Sequence, residues 1–292
     1  MTQICSDALE FAQIVFPDEG ISAESVHIAV ARLDRTAREF QLGGVGLDAP
    51  IYPASVVKVF YLAFAAHLLD SGSLAMSPEL NRASRDMVKD SNNDATGYIV
   101  DLVCGTTPGP ELGPADLARF IEQRGAVNRF FSGLGYQGVN AVNRTFNEGP
   151  YGRESQLLGK DMSNRNRVTA SAVCRLMAEI ALGTHWSGDS VSWMQGLLRR
   201  ANPQDEPDAA DAQASGFIGK AIPRAAILYS KAGWTSDTRH DAAWVVLPDG
   251  REFAIAILTK HGSNLGLVRA IAGHLFQGLG YAKAEPSGET SG

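Results

Sequence analysis

Ser55 and Lys58 stand three positions apart in Ser55-Val56-Val57-Lys58, at the start of a run that is apolar on nearly every side. On a helix this spacing puts both side chains on one face, so the lysine nitrogen can reach the serine hydroxyl. A serine hydroxyl becomes a useful nucleophile only when a base takes its proton. Lysine can be that base if desolvation or nearby positive charge lowers its pKa, and the surrounding Val, Phe, Tyr and Leu side chains supply a dry setting. Free backbone N–H groups at the helix start could stabilise developing negative charge. Alone, the pair reads equally as an N-cap serine beside a snorkelling lysine. A lysine in the first turn of an otherwise apolar helix, however, needs a reason.

The elements that position the pair follow from periodicity. Residues 6–16 predict a short amphipathic helix that Pro17 stops. Strands are expected around 26–34 and 39–47; in the first, Val26, Ile28 and Val30 alternate with His27, Ala29 and Ala31. Helices are expected over 80–102, 114–124, 168–182 and 189–200, with a long irregular loop over 126–167 and an exposed acidic connector over 201–216. Strands return at 225–231, 241–247 and 252–259, with Pro248-Asp249-Gly250 as a hairpin turn. A helix over 264–279 and a disordered tail over 285–292 close the chain. The order strands, helices, strands predicts an α+β domain. A sheet lobe built from 22–54 and 217–282 carries an inserted helical lobe over 55–216, with the cleft where the lobes meet.

Two further groups join the first pair. Ser91-Asn92-Asn93 lies in the helical stretch, and Lys231-Ala232-Gly233 ends a strand. In this order and context, the set resembles the Ser-x-x-Lys, Ser-x-Asn and Lys-Thr-Gly signatures of the penicillin-recognising serine enzymes, closest to the class A β-lactamase-like branch. The resemblance spans about residues 22–280. It implies a three-layer α/β/α sheet lobe with an all-α insertion. It also implies acylation of Ser55, proton acceptance by Lys58, proton relay by Ser91, and a bond from Asn93 to the substrate amide and Lys58. Lys231 would attract a substrate carboxylate, with Gly233, Trp234 and Thr235 lining the same strand end. The Ser55 and Trp234 N–H groups would form an oxyanion hole, where one lost donor typically costs ~100-fold or more in rate.

The departures from the family pattern bear on the reaction. Ala232 replaces the usual Thr or Ser and removes a hydroxyl, and Asn92 replaces an acidic residue. Trp234 sets a large ring beside the oxyanion position, and the interval from Ser55 to Ser91 is shorter than in standard β-lactamases. A water-activating glutamate is implied in the loop before Val168-Thr169. Glu154 is the candidate there and Glu148 the second, each set against the reading of a solvated loop glutamate.

Other features carry less. Net charge is −6 without a basic stripe, which excludes a general nucleic-acid binder. Cys5, Cys104 and Cys174 suit buried free thiols better than a disulfide framework or zinc cluster. His67 reads as a core or rim residue, and His185, His240 and His261 are dispersed without metal-ligand spacing. Arg165 falls in an Arg-rich loop end, and Gly133–Gly138 lacks the strand and acid of a dinucleotide site. No cofactor is implied. No stretch reaches ~18 apolar residues, and residues 1–10 lack the pattern of a secretory signal, so a cytoplasmic location is expected. The expected partner is a small or peptide-like substrate bearing a carboxylate. The leading reading is a serine hydrolase or acyl transferase acting on a β-lactam or related amide or ester. The alternatives are a cytoplasmic D,D-peptidase, esterase or biosynthetic acyl transferase, and a non-catalytic binding module that keeps the fold.

Overall fold

Six strands form one antiparallel sheet in the computed structural model, which describes residues 1–208 and 211–281. They are β1 (Val26–Asp34), β2 (Glu39–Val45), β3 (Arg199–Arg200), β4 (Ile227–Trp234), β5 (Arg239–Val246) and β6 (Glu252–Thr259). Their spatial order is β2-β1-β6-β5-β4-β3. Both ends of the chain therefore contribute to one sheet, as the strand–helix–strand order predicts. The hairpin turn at 248–250 is present, with Gly250 at a φ of +84°.

The helices are α1 (Thr2–Val15), α2 (Lys58–Asp70), α3 (Pro78–Lys89), α4 (Asn93–Cys104), α5 (Pro114–Arg124), α6 (Ala126–Gly133), α7 (Arg153–Leu158), α8 (Ala170–Leu182), α9 (Gly188–Leu198), α10 (Ala212–Ser215) and α11 (Leu267–Gly278). On β1, Val26, Ile28 and Val30 face α1 and α11 in one core, whereas Ala29 and Ala31 face α8 and the helical lobe in another. The sheet is thus covered on both sides, which makes the sheet lobe three layers. The tightly filled α2, buried throughout from Lys58 to Ala66, is the axis of the helical lobe. Val59, Phe60, Leu62 and Phe64 in this stretch each contribute about 1.5–3 kcal/mol on burial. No helix among the described residues is long and apolar enough to cross a membrane.

Four expectations are corrected. The helix expected over 80–102 is two helices, because Ser91 takes a φ of +57° between α3 and α4 and Asn92 caps the second. The loop expected over 126–167 contains α6 and α7, and the connector over 201–216 contains α10. The first helix starts at Thr2, and by packing against α11 it joins the sheet lobe ahead of the boundary expected at 22. The expected tail over 285–292 lies outside the described residues.

Candidate active site

Ser55 does not sit in the α-helix itself. It lies in a 3-10 turn, Ala54–Val57, that leads into α2 at Lys58. Ala54, just before it, is held at a φ of +45°, a conformation that costs a non-glycine residue about 1–2 kcal/mol. Packing holds the turn in place. A Cβ on Gly233 would stand 2.7 Å from Ser55 N, 2.8 Å from Val56 N and 3.0 Å from the Pro53 carbonyl oxygen. Backbone therefore lies directly on backbone, and only glycine fits at 233.

This contact arranges two N–H donors. The Ser55 N–H has no backbone hydrogen bond to a described residue. Thr235 N donates to the Thr238 carbonyl across the β4–β5 turn at 2.9 Å. Strand alternation then turns the Trp234 N–H away from β5, towards the open edge of β4 beside the Ser55 turn. β3 pairs only with Leu228 and Tyr229, so it leaves that edge free.

Lys58 is fully buried, and its Nζ meets the Ser91 carbonyl oxygen at 2.5 Å, Ser91 Oγ at 3.1 Å and Asn93 Oδ1 at 2.9 Å. None of these bonds goes to Ser55. The lysine is held by Ser91 and Asn93 rather than by the hydroxyl three residues before it. Lys231, also fully buried, places Nζ 3.0 Å from Ser91 Oγ, 2.5 Å from Gln213 Oε1 and 2.6 Å from the Ala232 carbonyl oxygen. One hydroxyl thus bridges two buried amines. Burial pushes the Lys58 amine down to about 7. Burial pushes Lys231 down as well, helped by the charge of Lys58.

The backbone at Ser91 is set by the end of α3. Arg200, buried, donates from Nη2 to the Val88 carbonyl at 2.6 Å and from Nη1 to the Lys89 carbonyl at 3.0 Å. Gln213 Nε2 also donates to the Lys89 carbonyl at 2.5 Å, while its Oε1 accepts from Lys231. Asn92 Oδ1 accepts from Ala95 N at 2.8 Å, so the middle residue of Ser91-Asn92-Asn93 caps α4. Asn93 Nδ2 donates to the Phe146 carbonyl at 2.9 Å and to Asn147 Oδ1 at 3.1 Å, tying the site to the loop that follows α6.

Ser55, Lys58, Ser91, Asn93, Lys231, Gly233 and Trp234 therefore converge. Three other positions read from the sequence do different work. Glu154 is buried and ion-paired to Arg124 at 2.5 Å, and the same arginine meets Asp101 at 2.7 Å. Burial raises the Glu154 carboxyl while Arg124 and Arg144 oppose the rise. It belongs to a charge cluster two turns along α4 from Asn93, and no hydrogen bond joins it to Ser55 or Lys58. At the expected water-activating position the structure thus shows a carboxylate paired with Arg124, with no bond to Ser55 or Lys58. Glu148 is exposed and accepts from Tyr151 Oη at 3.0 Å, at the edge of a cavity of about 400 Å³ that includes Asn93. Thr235 spends its hydroxyl on its own turn, accepting from Asp237 N and Thr238 N at 3.2 Å each. Ala232 is fully buried on the face towards α11, not in the cleft.

Trp234 is 47% exposed and rests against Phe217, with ring centroids 5.5 Å apart. His67 is half-buried and stacks on Phe130. All three cysteines are buried and free. Sequence reasoning missed Arg200 and Gln213, which hold the Ser91 loop. It also passed over His240, whose signal is the run Arg239-His240-Asp241, three buried polar residues in an inner strand.

Comparison with known proteins bears on the fold and the family. A mutant of PBP-A, solved as an acyl-enzyme complex with penicillin G, is 17% identical over 94% of this chain and 97% of that one, with a TM-score of 0.66. A beta-lactamase from Chitinophaga pinensis DSM 2588 is 16% identical over 96% of this chain and 100% of that one, with a TM-score of 0.65. The TLA-3 extended-spectrum beta-lactamase is 15% identical over 94% and 99%, with a TM-score of 0.68. These likenesses show the β-lactamase/transpeptidase-like fold. No curated protein matches the sequence. The profile described as the beta-lactamase enzyme family matches residues 80–279, well over half of the sequence and including Ser91, Asn93 and Lys231, and on that ground the chain belongs to the beta-lactamase enzyme family.

Proposed function

We propose that this protein is a serine acyl-transfer enzyme that forms an acyl-enzyme on Ser55 from a β-lactam or related amide or ester bearing a carboxylate. The observation that carries the reading is Ser91 Oγ, set 3.1 Å from Lys58 Nζ and 3.0 Å from Lys231 Nζ beside the Ser55 turn. The donor count supports it. Ser91 has one hydroxyl proton to give, and giving it to one amine leaves that amine neutral while the other is an ammonium donating to three acceptors. Lys58, neutral in part near pH 7, takes the proton from Ser55 as Oγ attacks the carbonyl carbon. The Ser55 and Trp234 N–H groups hold the oxygen that becomes negative. The proton then passes from Lys58 through Ser91 to the leaving group as the scissile bond breaks. Lys231 supplies positive potential for the substrate carboxylate from beneath the surface.

Commitment of Glu154 to Arg124 favours a slowly hydrolysed acyl-enzyme over rapid β-lactam turnover. The PBP-A neighbour, captured as an acyl-enzyme with penicillin G, is compatible with that behaviour. Incubation with a fluorescent penicillin and a fluorophosphonate, followed by intact-mass measurement, tests the reading. A stable adduct that Ser55→Ala abolishes is expected. Fast nitrocefin turnover would overturn the slow-hydrolysis part, and no adduct with any acylating probe would leave a binding module as the better reading.

A further inference from the structure

The turn that carries Ser55 has to be held against the strain at Ala54, and Gly233 supplies only one side of the clamp. Upstream, Ile51 is tied to Val168 by an isolated bridge, and the Tyr52 ring lies under the Arg165 guanidinium, 3.5 Å from carbon to ring centroid. A further backbone handle between Ile51 and Ala54 is the Tyr52 carbonyl. His240 Nε2 lies 2.8 Å from it.

His240 sits on β5 opposite Gly233, and cross-strand partners point to the same face of a sheet. The side chain therefore rises beside the glycine that packs on Ser55. It is fully buried. Its other nitrogen, Nδ1, lies 3.0 Å from Thr259 N, a backbone donor. Nδ1 must accept there, so the ring proton is on Nε2 and points at the Tyr52 carbonyl. Burial pushes this imidazole down to about 4, so it stays neutral and keeps that tautomer throughout the neutral range.

We propose that His240 is a positioning residue for the nucleophile: its Nε2–H, oriented by the Thr259 amide, holds the Tyr52 carbonyl and so maintains the strained Ala54–Ser55 turn against Gly233. The consequence for acylation rests on the reading of Ser55 as the nucleophile. The consequence for the turn does not.

Two substitutions separate the roles of the ring. In His240→Gln the amide nitrogen can reach the place of Nε2 and still donate to Tyr52, but the acceptor for Thr259 N is lost. In His240→Asn the oxygen can still accept from Thr259 N, but the donor to Tyr52 is lost. Backbone hydrogen exchange at the bonded amides of the turn, Val56 and Lys58, should rise about 10-fold or more in His240→Asn, with β4 and β6 unchanged, and stay near wild type in His240→Gln. Labelling by a fluorescent penicillin should slow ~10–100-fold in His240→Asn, as expected when a reacting atom is misplaced by about an ångström. His240→Gln should stay within about three-fold, and reversible affinity should be the same for both. Equal loss in the two variants, with exchange raised across the whole sheet, would mean a purely structural role and overturn the proposal. Unchanged exchange at Val56 and Lys58 in His240→Asn would also overturn it. If wild-type protein takes no label, the acyl-transfer reading fails while the exchange comparison still decides this one. Should neither variant fold, nitrogen NMR of the wild type decides: a slowly exchanging Nε2–H on His240 is expected, and an Nδ1–H tautomer would overturn the proposal.

Discussion

Gly233 lies so close to Ser55 that a Cβ on the glycine would stand 2.7 Å from the Ser55 amide nitrogen. The neighbour is backbone in a tight turn, not a flexible side chain, so it cannot yield without moving the nucleophile. Gly233→Ala should therefore fold, with the Ser55 turn displaced, and acylate at least ~100-fold more slowly, the scale of a lost oxyanion donor. Labelling rates measured with a fluorescent penicillin at matched occupancy check this. A rate within a few-fold of wild type would mean that the turn has room to move.

Lys58 bears on the pH dependence. Burial lowers its amine to about 7. Below that value the amine is protonated and cannot accept the Ser55 proton; above it the free base dominates. Acylation should rise with pH, about ten-fold per unit on the acid side, and level off above pH 7–8. The midpoint belongs to the Lys58–Ser91–Lys231 set, because the two amines share a hydroxyl. A flat profile from pH 5.5 to 9 would remove Lys58 from the proton-accepting role.

Ser91 combines a chemical and a conformational requirement. Its hydroxyl bridges the two amines, and its backbone has a φ of +57°. Ser91→Ala and Ser91→Gly both delete the hydroxyl and should slow acylation to a similar extent. Glycine adopts that φ without the ~1 kcal/mol or more that alanine incurs. Urea unfolding should place Ser91→Gly above Ser91→Ala in stability by about that amount. Equal stabilities would mean that the loop relaxes once the hydroxyl is gone.

Glu154 separates a structural carboxylate from a water-activating one. It is paired with Arg124, and that guanidinium is buried with Asp101, Thr106 and the Val142 carbonyl around it. Glu154→Gln weakens a buried pair and should cost on the order of 1–3 kcal/mol of stability. The lifetime of the acyl-enzyme, followed by intact mass after a penicillin chase, should not change. A markedly longer lifetime would restore Glu154 to the deacylation step.

The contrast between Ser55 and Glu154 explains what the sequence could and could not disclose. Local spacing carries Ser55, Lys58, Ser91 and Asn93, because each pair shares a turn. Their convergence with Lys231 follows once the chain ends are seen to build one sheet. Glu154 stands at a plausible distance before Thr169, but its partner Arg124 lies 30 residues earlier in sequence, and no periodicity reports that pairing. The Ser55–Lys58 spacing also suggested a direct bond. The 3-10 turn at Ala54–Val57 and the acceptors at Ser91 and Asn93 draw the amine elsewhere. Gln213 was hidden because an acidic, proline-containing stretch reads as solvent-exposed. Its amide is nonetheless buried between Lys231 and the Lys89 carbonyl.

Asp241 gives a prediction on stability that does not depend on the reaction. It is fully buried on β5; one carboxylate oxygen accepts from Ile218 N at 3.0 Å, and the other has no partner among the described residues. Burial raises its pKa to about 7, against the pull of the Ile218 bond and of the Arg200 and Lys231 charges. Unfolded, the same carboxyl titrates near ~4. Between these values the folded protein holds a proton that the unfolded chain has released, so this group's contribution to stability falls as pH rises from ~4 to 7 and is level above that. Asp241→Asn keeps an acceptor for Ile218 N and removes the titration. Its stability relative to wild type should therefore grow as pH rises from 5 to 8, by roughly 2–3 kcal/mol or about 4–5 °C in Tm. Thermal melts of both proteins across that range test the point. A difference that stays constant with pH would mean that Asp241 is already ionised in the folded protein throughout that range.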